Sequence, residues 1–399
     1  MVNPYTENRK ELNVNLGLPI AGFPLRVMRS FGSIGSFFFQ YTIEKPVFFA
    51  WKILPVQLRS KISFFSWSCW LAFHRNTLGK STALHPSLSH EYAALTTVMW
   101  GARLFPMTLS RMRFGLNQIE CNFPPHKGLA RRKIHEEGGR VKGIYVKSQP
   151  GDPDKSERKV LFWLFGGAFL SGDVEGNVGL AESVALRAGC DVFLADYRIC
   201  PEHTIFDASE DVWACYSWLV QKSGLVSSGS QVSVLGISSG GGLACRLCQQ
   251  VVSSGDRSLQ PASSILLCPW VHYDWENLFP SLTENVIHDL VVTQSVYEYV
   301  VPLAETMAGG AENRLKVSPL GDPMEGVCPT FICASTHEVT YDEDKALHEK
   351  MKAAGVDVEF YTKEYLCHVF CLIPHLPESK ECMERAARFM RVKWGSQEE

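Results

Sequence analysis

The sequence lacks any apolar run long enough to cross a bilayer. A membrane-spanning helix needs about 18 to 20 consecutive apolar residues. The candidate runs, at 31–43, 46–58 and 62–73, are all shorter and are bounded or interrupted by Lys, Arg or Glu. We therefore expect no transmembrane helix.

Signals for secretion are also missing. The first residues, MVNPYTENRKELN, are polar and contain no apolar segment followed by a small-residue cleavage site, so no cleaved signal peptide is expected. No Asn-x-Ser/Thr sequon occurs, and the 13 cysteines are odd in number and follow no repeated spacing. These absences favour a reducing, cytoplasmic location, where disulfides are not formed.

The chain has little excess of charge of either sign. Its 399 residues carry a formal net charge of −3, with 20% charged and 46% hydrophobic residues. Disordered chains combine low hydrophobicity with high net charge, and nucleic-acid-binding domains are strongly basic. This composition predicts a folded protein with no nucleic-acid partner.

Motifs for nucleotides and metals are absent. Neither GxGxxG nor GxxxxGK[ST] occurs in the sequence. His337 and Glu338 open a possible HExxH zinc motif, but residue 341 is Tyr where the second histidine is required. Cys245 and Cys248 form a CxxC without a second pair, which favours buried side chains over ligands. We expect neither a metal nor an organic cofactor.

Basic and aromatic residues are concentrated in the first part of the chain. Residues 1–114 contain 13 Lys or Arg against 4 Asp or Glu, and 19 of the 45 aromatic residues. This segment is predicted to be helical or irregular. Two roles remain open for it: a lid over a site in the remaining domain, 115–399, or a membrane-interfacial segment, where aromatic and basic side chains are favoured.

Beyond residue 115, short apolar runs alternate with helical patterns. The continuous runs, typical of strands covered on both faces, are 160–165, 192–197, 232–237, 265–270, 331–336 and 358–365. The helical patterns cover roughly 178–188, 206–222, 241–253, 342–353 and 377–393. This alternation predicts an α/β fold with a mostly parallel sheet flanked by helices. Residues 272–316 interrupt the pattern and indicate a cap insertion.

The segment Gly236-Ile237-Ser238-Ser239-Gly240 matches GxSxG and lies between a predicted strand and a predicted helix. A serine on such a sharp strand-to-helix turn is exposed for attack on a carbonyl carbon, and small residues let the backbone close around it. The motif alone is a weak signal, but its placement favours Ser238 as a nucleophile over a structural turn.

A serine nucleophile needs a base and a group that orients the base. His368 follows the last predicted strand, and Glu338 follows the strand before it. Ser238, Glu338 and His368 therefore occur in the order expected for this fold. Asp342 and Asp344 stay open as alternative acids, although they fall within the next helical pattern.

Catalysis also requires N–H donors for the oxyanion. The segment 165–169, FGGAF, follows a predicted strand and can present successive backbone amides. Ser239 can contribute another amide from the start of a helix, where the helix dipole favours negative charge.

Several motifs in register resemble the hormone-sensitive-lipase-like branch of the α/β-hydrolases over roughly 115–395. WLFGGAFLSGD resembles the HGGG loop, ADYRICPEH the DYRLAPE signature and GISSGGG the GDSAGG elbow; the insertion, SPL at 318–320 and the acid and histidine loops follow in the family's order. The resemblance implies an α/β-hydrolase fold and an ester hydrolase. Its motifs place Ser238, Glu338 and His368 as the triad, and Gly166, Gly167, Ala168 and Ser239 in the oxyanion hole.

Four positions depart from the family pattern. Phe165 replaces the histidine that opens the glycine loop, so a hydrogen bond that holds this loop is expected to be lost. Ala168 replaces a glycine and would be strained at a positive φ. Ile237 replaces an acidic residue, and Glu338 replaces the usual Asp with a longer side chain.

The leading hypothesis is a serine hydrolase acting on apolar acyl or acetyl esters. Two other classes remain open: a non-catalytic small-molecule-binding protein, as in the plant gibberellin receptors that resemble this family but lack its histidine, and a membrane-surface protein whose functional part is 1–114. Within the enzyme class, the same groups also support acyl transfer to an alcohol other than water.

Overall fold

A computed structural model describes residues 56–77, 85–102, 107–113, 123, 125–149, 154–274, 277–373 and 376–395. The predicted segment 1–114 lies largely outside the described residues. Its described parts are helical: α1 covers Val56–Thr77, α2 covers His90–Ala102, and a short helical stretch covers 109–113. No helix among these described ranges is long and apolar enough to span a membrane.

Eight strands form one sheet in the order β1-β2-β4-β3-β5-β6-β7-β8. In chain order they are β1 Ala130–Glu136, β2 Val141–Lys147, β3 Val160–Leu164, β4 Asp191–Ala195, β5 Val232–Ile237, β6 Ser263–Leu267, β7 Thr330–Ser335 and β8 Val358–Lys363. The pairs β1–β2 and β2–β4 are antiparallel, and all other pairs are parallel. The predicted α/β fold with a mostly parallel sheet is confirmed.

The central strands form the core because their sequences are apolar on both faces. Every residue of β3, β4, β5, β6 and β7 is buried. The flanking helices are α3 Val174–Ala188, α4 Ile205–Gln221, α5 Ser239–Ser254, α10 Tyr341–Ala353 and α11 Pro377–Lys393. Helix α3 contacts α11, and α4 contacts α5. These five helices and the six parallel strands lie close to their predicted positions.

The antiparallel strands β1 and β2 were not predicted. Strand β1, ARRKIHE, lies at the sheet edge and buries only Ile134. An edge strand with charged side chains lacks both the apolar run and the strict alternation that indicate a strand.

The chain between β6 and β7 contains only short helices among its described residues. They are α6 Pro280–Glu284, α7 Gln294–Val300, α8 Ala304–Ala308 and α9 Arg314–Val317, joined by 3-10 turns. Residues 272–317, which contain the predicted insertion 272–316 and these short helices, are called the cap segment below. It follows the carboxyl end of β6, at the edge of the sheet where β3, β5, β7 and β8 also end.

Candidate active site

Ser238 occupies a sharp turn between β5 and α5. Its φ is 51° and its ψ is −119°, a conformation that non-glycine residues adopt rarely. A Cβ on Gly236 would lie 2.2 Å from the carbonyl oxygen of Gly240, and one on Gly240 would lie 2.1 Å from that of Phe165. Glycine is required at both positions because the backbone packs against itself around the serine.

The structure brings Ser238, His368 and Glu338 into one hydrogen-bonded chain. His368 Nε2 lies 2.8 Å from Ser238 Oγ, and His368 Nδ1 lies 2.6 Å from Glu338 Oε2. The other carboxylate oxygen, Glu338 Oε1, accepts a 2.6 Å hydrogen bond from the amide of Ser335 at the end of β7. All three residues are buried, and Ser238, at 9% exposed, is more exposed than His368 at 3% and Glu338 at 0%.

The alternative acids do not reach the histidine. Asp342 Oδ2 accepts a 2.8 Å bond from the amide of Ser281 in the cap segment. Asp344 Oδ2 accepts a 3.3 Å bond from the hydroxyl of Thr340. Of these three carboxylates, Glu338 is the one that bonds the imidazole among the described residues.

Electrostatics at the site favour a protonated histidine. Burial of the imidazole lowers the pKa of His368, but the hydrogen bond and the negative charge of Glu338 outweigh burial and raise it to about 9. A carboxylate beside an imidazole stabilises the imidazolium that forms when the base takes the serine proton.

The loop after β3 turns its backbone towards the serine. A Cβ on Gly166 would lie 3.4 Å from Cβ of Ser238, so this loop packs directly against that serine. Gly167 has a φ of 125° and Ala168 a φ of 53°. The strain expected at Ala168 is therefore present. The carbonyl of Gly167 accepts hydrogen bonds from the amides of Leu170 and Ser171, each at 3.0 Å, which fixes the turn.

The four amides predicted to face an oxyanion make no hydrogen bond to the described part of the protein. Those of Gly166, Gly167, Ala168 and Ser239 donate to no acceptor among the described residues. The Ser239 hydroxyl accepts a 3.2 Å bond from the amide of Phe169 and so ties the loop to the start of α5.

Phe165 is held by an aromatic contact in place of the expected histidine bond. Its ring stacks on Tyr197 with centroids 4.1 Å apart and planes 11° from parallel. The Tyr197 hydroxyl also donates a 2.5 Å hydrogen bond to the carbonyl of Phe165. Ile237, the other apolar replacement, is 1% exposed and extends the buried face of β5.

Two groups of side chains near the site have the spacing of metal ligands. In one, the sulfurs of Cys268, Cys333 and Cys371 lie within 4.8 Å of one another; in the other, Cys268 joins Glu338 and His368. Burial raises the pKa of all three thiols, which opposes the thiolate form that binds metals. The second group is already engaged, because its carboxylate and imidazole bond each other. Neither group fits a metal.

Two buried carboxylates near the hydrogen-bonded residues Ser238, His368 and Glu338 were missed by the sequence analysis. Glu343 accepts the amide of His272 at 2.7 Å, and burial raises the pKa of its carboxyl group well above the usual range. Asp289, in the cap segment, accepts the amide of His368. Neither belongs to a recognisable motif, since the contacts join positions 71 and 79 residues apart.

Comparisons with known proteins support the family resemblance. A model of the alpha/beta hydrolase fold family matches residues 161–372. The chain is 25% identical over 256 residues to Esterase LipI of Mycobacterium tuberculosis, covering 63% of this chain and 78% of that protein. It is 26% identical to an Acetyl-hydrolase of Streptomyces hygroscopicus, covering 61% and 79%.

Solved structures give the same result. The fold resembles that of an esterase from the bacterial hormone-sensitive lipase family, with a TM-score of 0.66, 26% identity and coverage of 75% of this chain and 98% of that one. It also resembles EstE5 soaked with ethyl alcohol, with a TM-score of 0.65, 25% identity and coverage of 76% and 99%. The resemblance predicted from the motifs is confirmed.

Proposed function

The chain belongs to the alpha/beta hydrolase fold family, and from this premise we propose that it is a serine carboxylic ester hydrolase acting on apolar acyl or acetyl esters. The observation that carries the proposal is the continuous hydrogen-bonded chain from Ser238 through His368 to Glu338. The relatives named as esterases and an acetyl-hydrolase support the same reaction class.

In the proposed mechanism, Ser238 Oγ attacks the ester carbonyl carbon while His368 Nε2 accepts the serine proton. Glu338 accepts a hydrogen bond from Nδ1–H of His368, so Nε2 stays free to accept the proton. Its negative charge also stabilises the imidazolium that results. The amides of Gly166, Gly167, Ala168 and Ser239 donate hydrogen bonds to the carbonyl oxygen as negative charge develops on it. The imidazolium returns its proton to the departing alcohol, and water activated by His368 then releases the acid from the acyl-serine.

Covalent labelling by a fluorophosphonate tests the proposal. The reagent phosphonylates a serine only where a base and an oxyanion site activate it, so the full-length protein should react at one residue. Mass spectrometry of the labelled peptides is expected to place the adduct on Ser238. A protein that binds its ligand without catalysis, as on the receptor hypothesis, would remain unlabelled while an active esterase in the same tube reacts.

We further propose that the protein faces the cytosol and that α1 touches a membrane surface. The twelve cysteines within the described ranges are all free thiols, which fits a reducing compartment. Helix α1 exposes 55% of Phe73 and 39% of Ile62, while Arg75 on the same helix is also exposed. Exposed apolar and basic side chains together favour contact with anionic lipid. The lid role for 1–114 remains the alternative proposal.

Flotation with vesicles containing phosphatidylserine separates these two roles. Inserting one phenylalanine side chain contributes about 1.5–3 kcal/mol, so Phe73→Asp should reduce vesicle partitioning by roughly tenfold or more. Leu315→Asp is the matched control, because Leu315 is 62% exposed but lies in the cap segment. Equal flotation of the two variants would contradict membrane contact through α1 and leave the lid role favoured.

A further inference from the structure

Asp289 lies in the cap segment, between a 3-10 turn at Asn285–Ile287 and helix α7, and its side chain is fully buried. Its Oδ1 accepts the amides of Val291 at 2.9 Å and Val292 at 3.1 Å, which closes a turn in its own segment. These two bonds fix the carboxylate relative to the cap backbone.

The same carboxylate also binds the two loops that carry the acid and the base. The amide of His368 lies 3.2 Å from both Oδ1 and Oδ2, and the amide of Val339, the residue after Glu338, donates to Oδ2 at 3.2 Å. The Asp289 side chain thus holds the main chain at His368 and at the residue directly after Glu338.

The histidine loop needs such an external restraint. Tyr365 has a φ of 64° and Val369 a φ of 50°, so left-handed residues stand on both sides of His368. A β-branched residue such as valine is disfavoured in this conformation and persists only where surrounding contacts impose it. The bond from the His368 amide to Asp289 is a contact of this kind within the strained stretch.

We propose that Asp289 is a positioning residue that couples the cap segment to the acid–base pair: its carboxylate sets the main-chain position of His368 and of the Glu338 loop. This inference rests on the proposed ester hydrolysis. A substrate that displaces the cap segment would move Asp289 and, through it, the imidazole, so the cap contributes to the rate of reaction as well as to binding.

Asp289 also acts on the imidazole through its charge. The titratable side chains that face it are His368, Glu338, Cys367 and Tyr92. Burial raises the pKa of the Asp289 carboxyl group, while the positive charge of the protonated histidine lowers it. In return, the negative charge of Asp289 raises the pKa of His368, although less than Glu338 does.

Asp289→Asn is the informative substitution. Asparagine keeps one acceptor oxygen for the turn at Val291 and Val292, but its NH₂ group faces the N–H groups of Val339 and His368. Misplacing a catalytic group by about 1 Å can cost 10²-fold, so we expect kcat on a p-nitrophenyl ester to fall about 10- to 100-fold while KM stays near the parental value. Asp289→Glu keeps the acceptors and should recover part of kcat.

The pH profile of Asp289→Asn distinguishes a role in positioning and charge from a general loss of folded protein. Removing the negative charge lowers the pKa of His368, and the imidazole must be neutral to accept the serine proton. The acid limb of kcat/KM should therefore move to lower pH in Asp289→Asn. Asp342→Asn is the matched control: that carboxylate also anchors the cap segment, through the amide of Ser281, but the amides of Val339 and His368 donate to Asp289 and not to Asp342. Its profile should follow the parent protein.

Hydrogen exchange on the full-length parent protein tests the contact without any substitution. The amides of Val339 and His368 should be protected, and both should lose protection together in Asp289→Asn. A parental kcat with an unchanged pH profile in a folded Asp289→Asn protein would overturn the inference. So would rapid exchange of the His368 amide in the parent, even where the variant does not fold. If the parent itself resists fluorophosphonate, the proposed function fails instead.

Discussion

Replacing Ser238 by alanine is expected to lower kcat for p-nitrophenyl acetate by about 10⁴- to 10⁶-fold, the range seen when a serine hydrolase loses its nucleophile. The substitution removes only Oγ, which lies 2.8 Å from His368 Nε2. Alanine retains the Cβ that the turn already accommodates at a φ of 51°, so it adds no backbone strain. Some rate above the uncatalysed reaction should persist, because the four amides proposed to bind the oxyanion remain.

Ser233→Ala is the matched control for this substitution. Ser233 is also fully buried on β5, but its hydroxyl bonds the hydroxyl of Ser263 at 2.8 Å, at the opposite end of the strand from the turn. Its loss should lower the free energy of unfolding by about 0.5–1.5 kcal/mol and leave kcat unchanged. If the Ser238→Ala protein hydrolysed the ester at the parental rate, a different nucleophile would have to be sought and the mechanism abandoned.

The parallel part of the fold could be predicted because its sequence signal is local. Strand β5 is six apolar or small residues that are all buried, and the GxSxG motif begins on its last two residues. A residue able to serve as nucleophile, acid or base follows each of β5, β7 and β8 within the next few residues: Ser238, Glu338 and His368. Since parallel strands end at one edge of a sheet, the order of these residues was enough to predict that they meet.

What could not be predicted depends on contacts between distant segments. Phe165 meets Tyr197 across 32 positions, and Asp289 meets His368 across 79, so neither pairing leaves a pattern in a local window. The edge strand β1 gives little signal for the opposite reason: six of its seven side chains face solvent, and burial is what produces periodicity. Which of three nearby carboxylates bonds the imidazole depends on the path of the loop after β7: Glu338 bonds His368, whereas Asp342 and Asp344 bond Ser281 and Thr340.

Replacing Glu338 by glutamine is expected to have the second-largest effect, a decrease in kcat of about 10³- to 10⁴-fold. Glutamine has nearly the same shape, but only one of its two terminal atoms accepts a hydrogen bond. If its oxygen keeps the Ser335 amide, its NH₂ group donates to His368 Nδ1 and forces the proton onto Nε2. A histidine in that tautomer cannot accept the proton of Ser238. We therefore expect a folded protein that lacks a working base.

The pH dependence of the Glu338→Gln variant provides an independent test. In the parent protein the neutral imidazole is the active form and its pKa is about 9, so kcat/KM should continue to rise above neutral pH. Glutamine removes the charge and the accepting oxygen that raise this pKa and leaves burial, which lowers it. The acid limb should therefore shift to lower pH.

Glu338→Asp, which keeps the charge on a shorter side chain, should retain the parental limb with a smaller loss of kcat. A Glu338→Gln limb at the parental pH would show that another group sets the ionisation of His368.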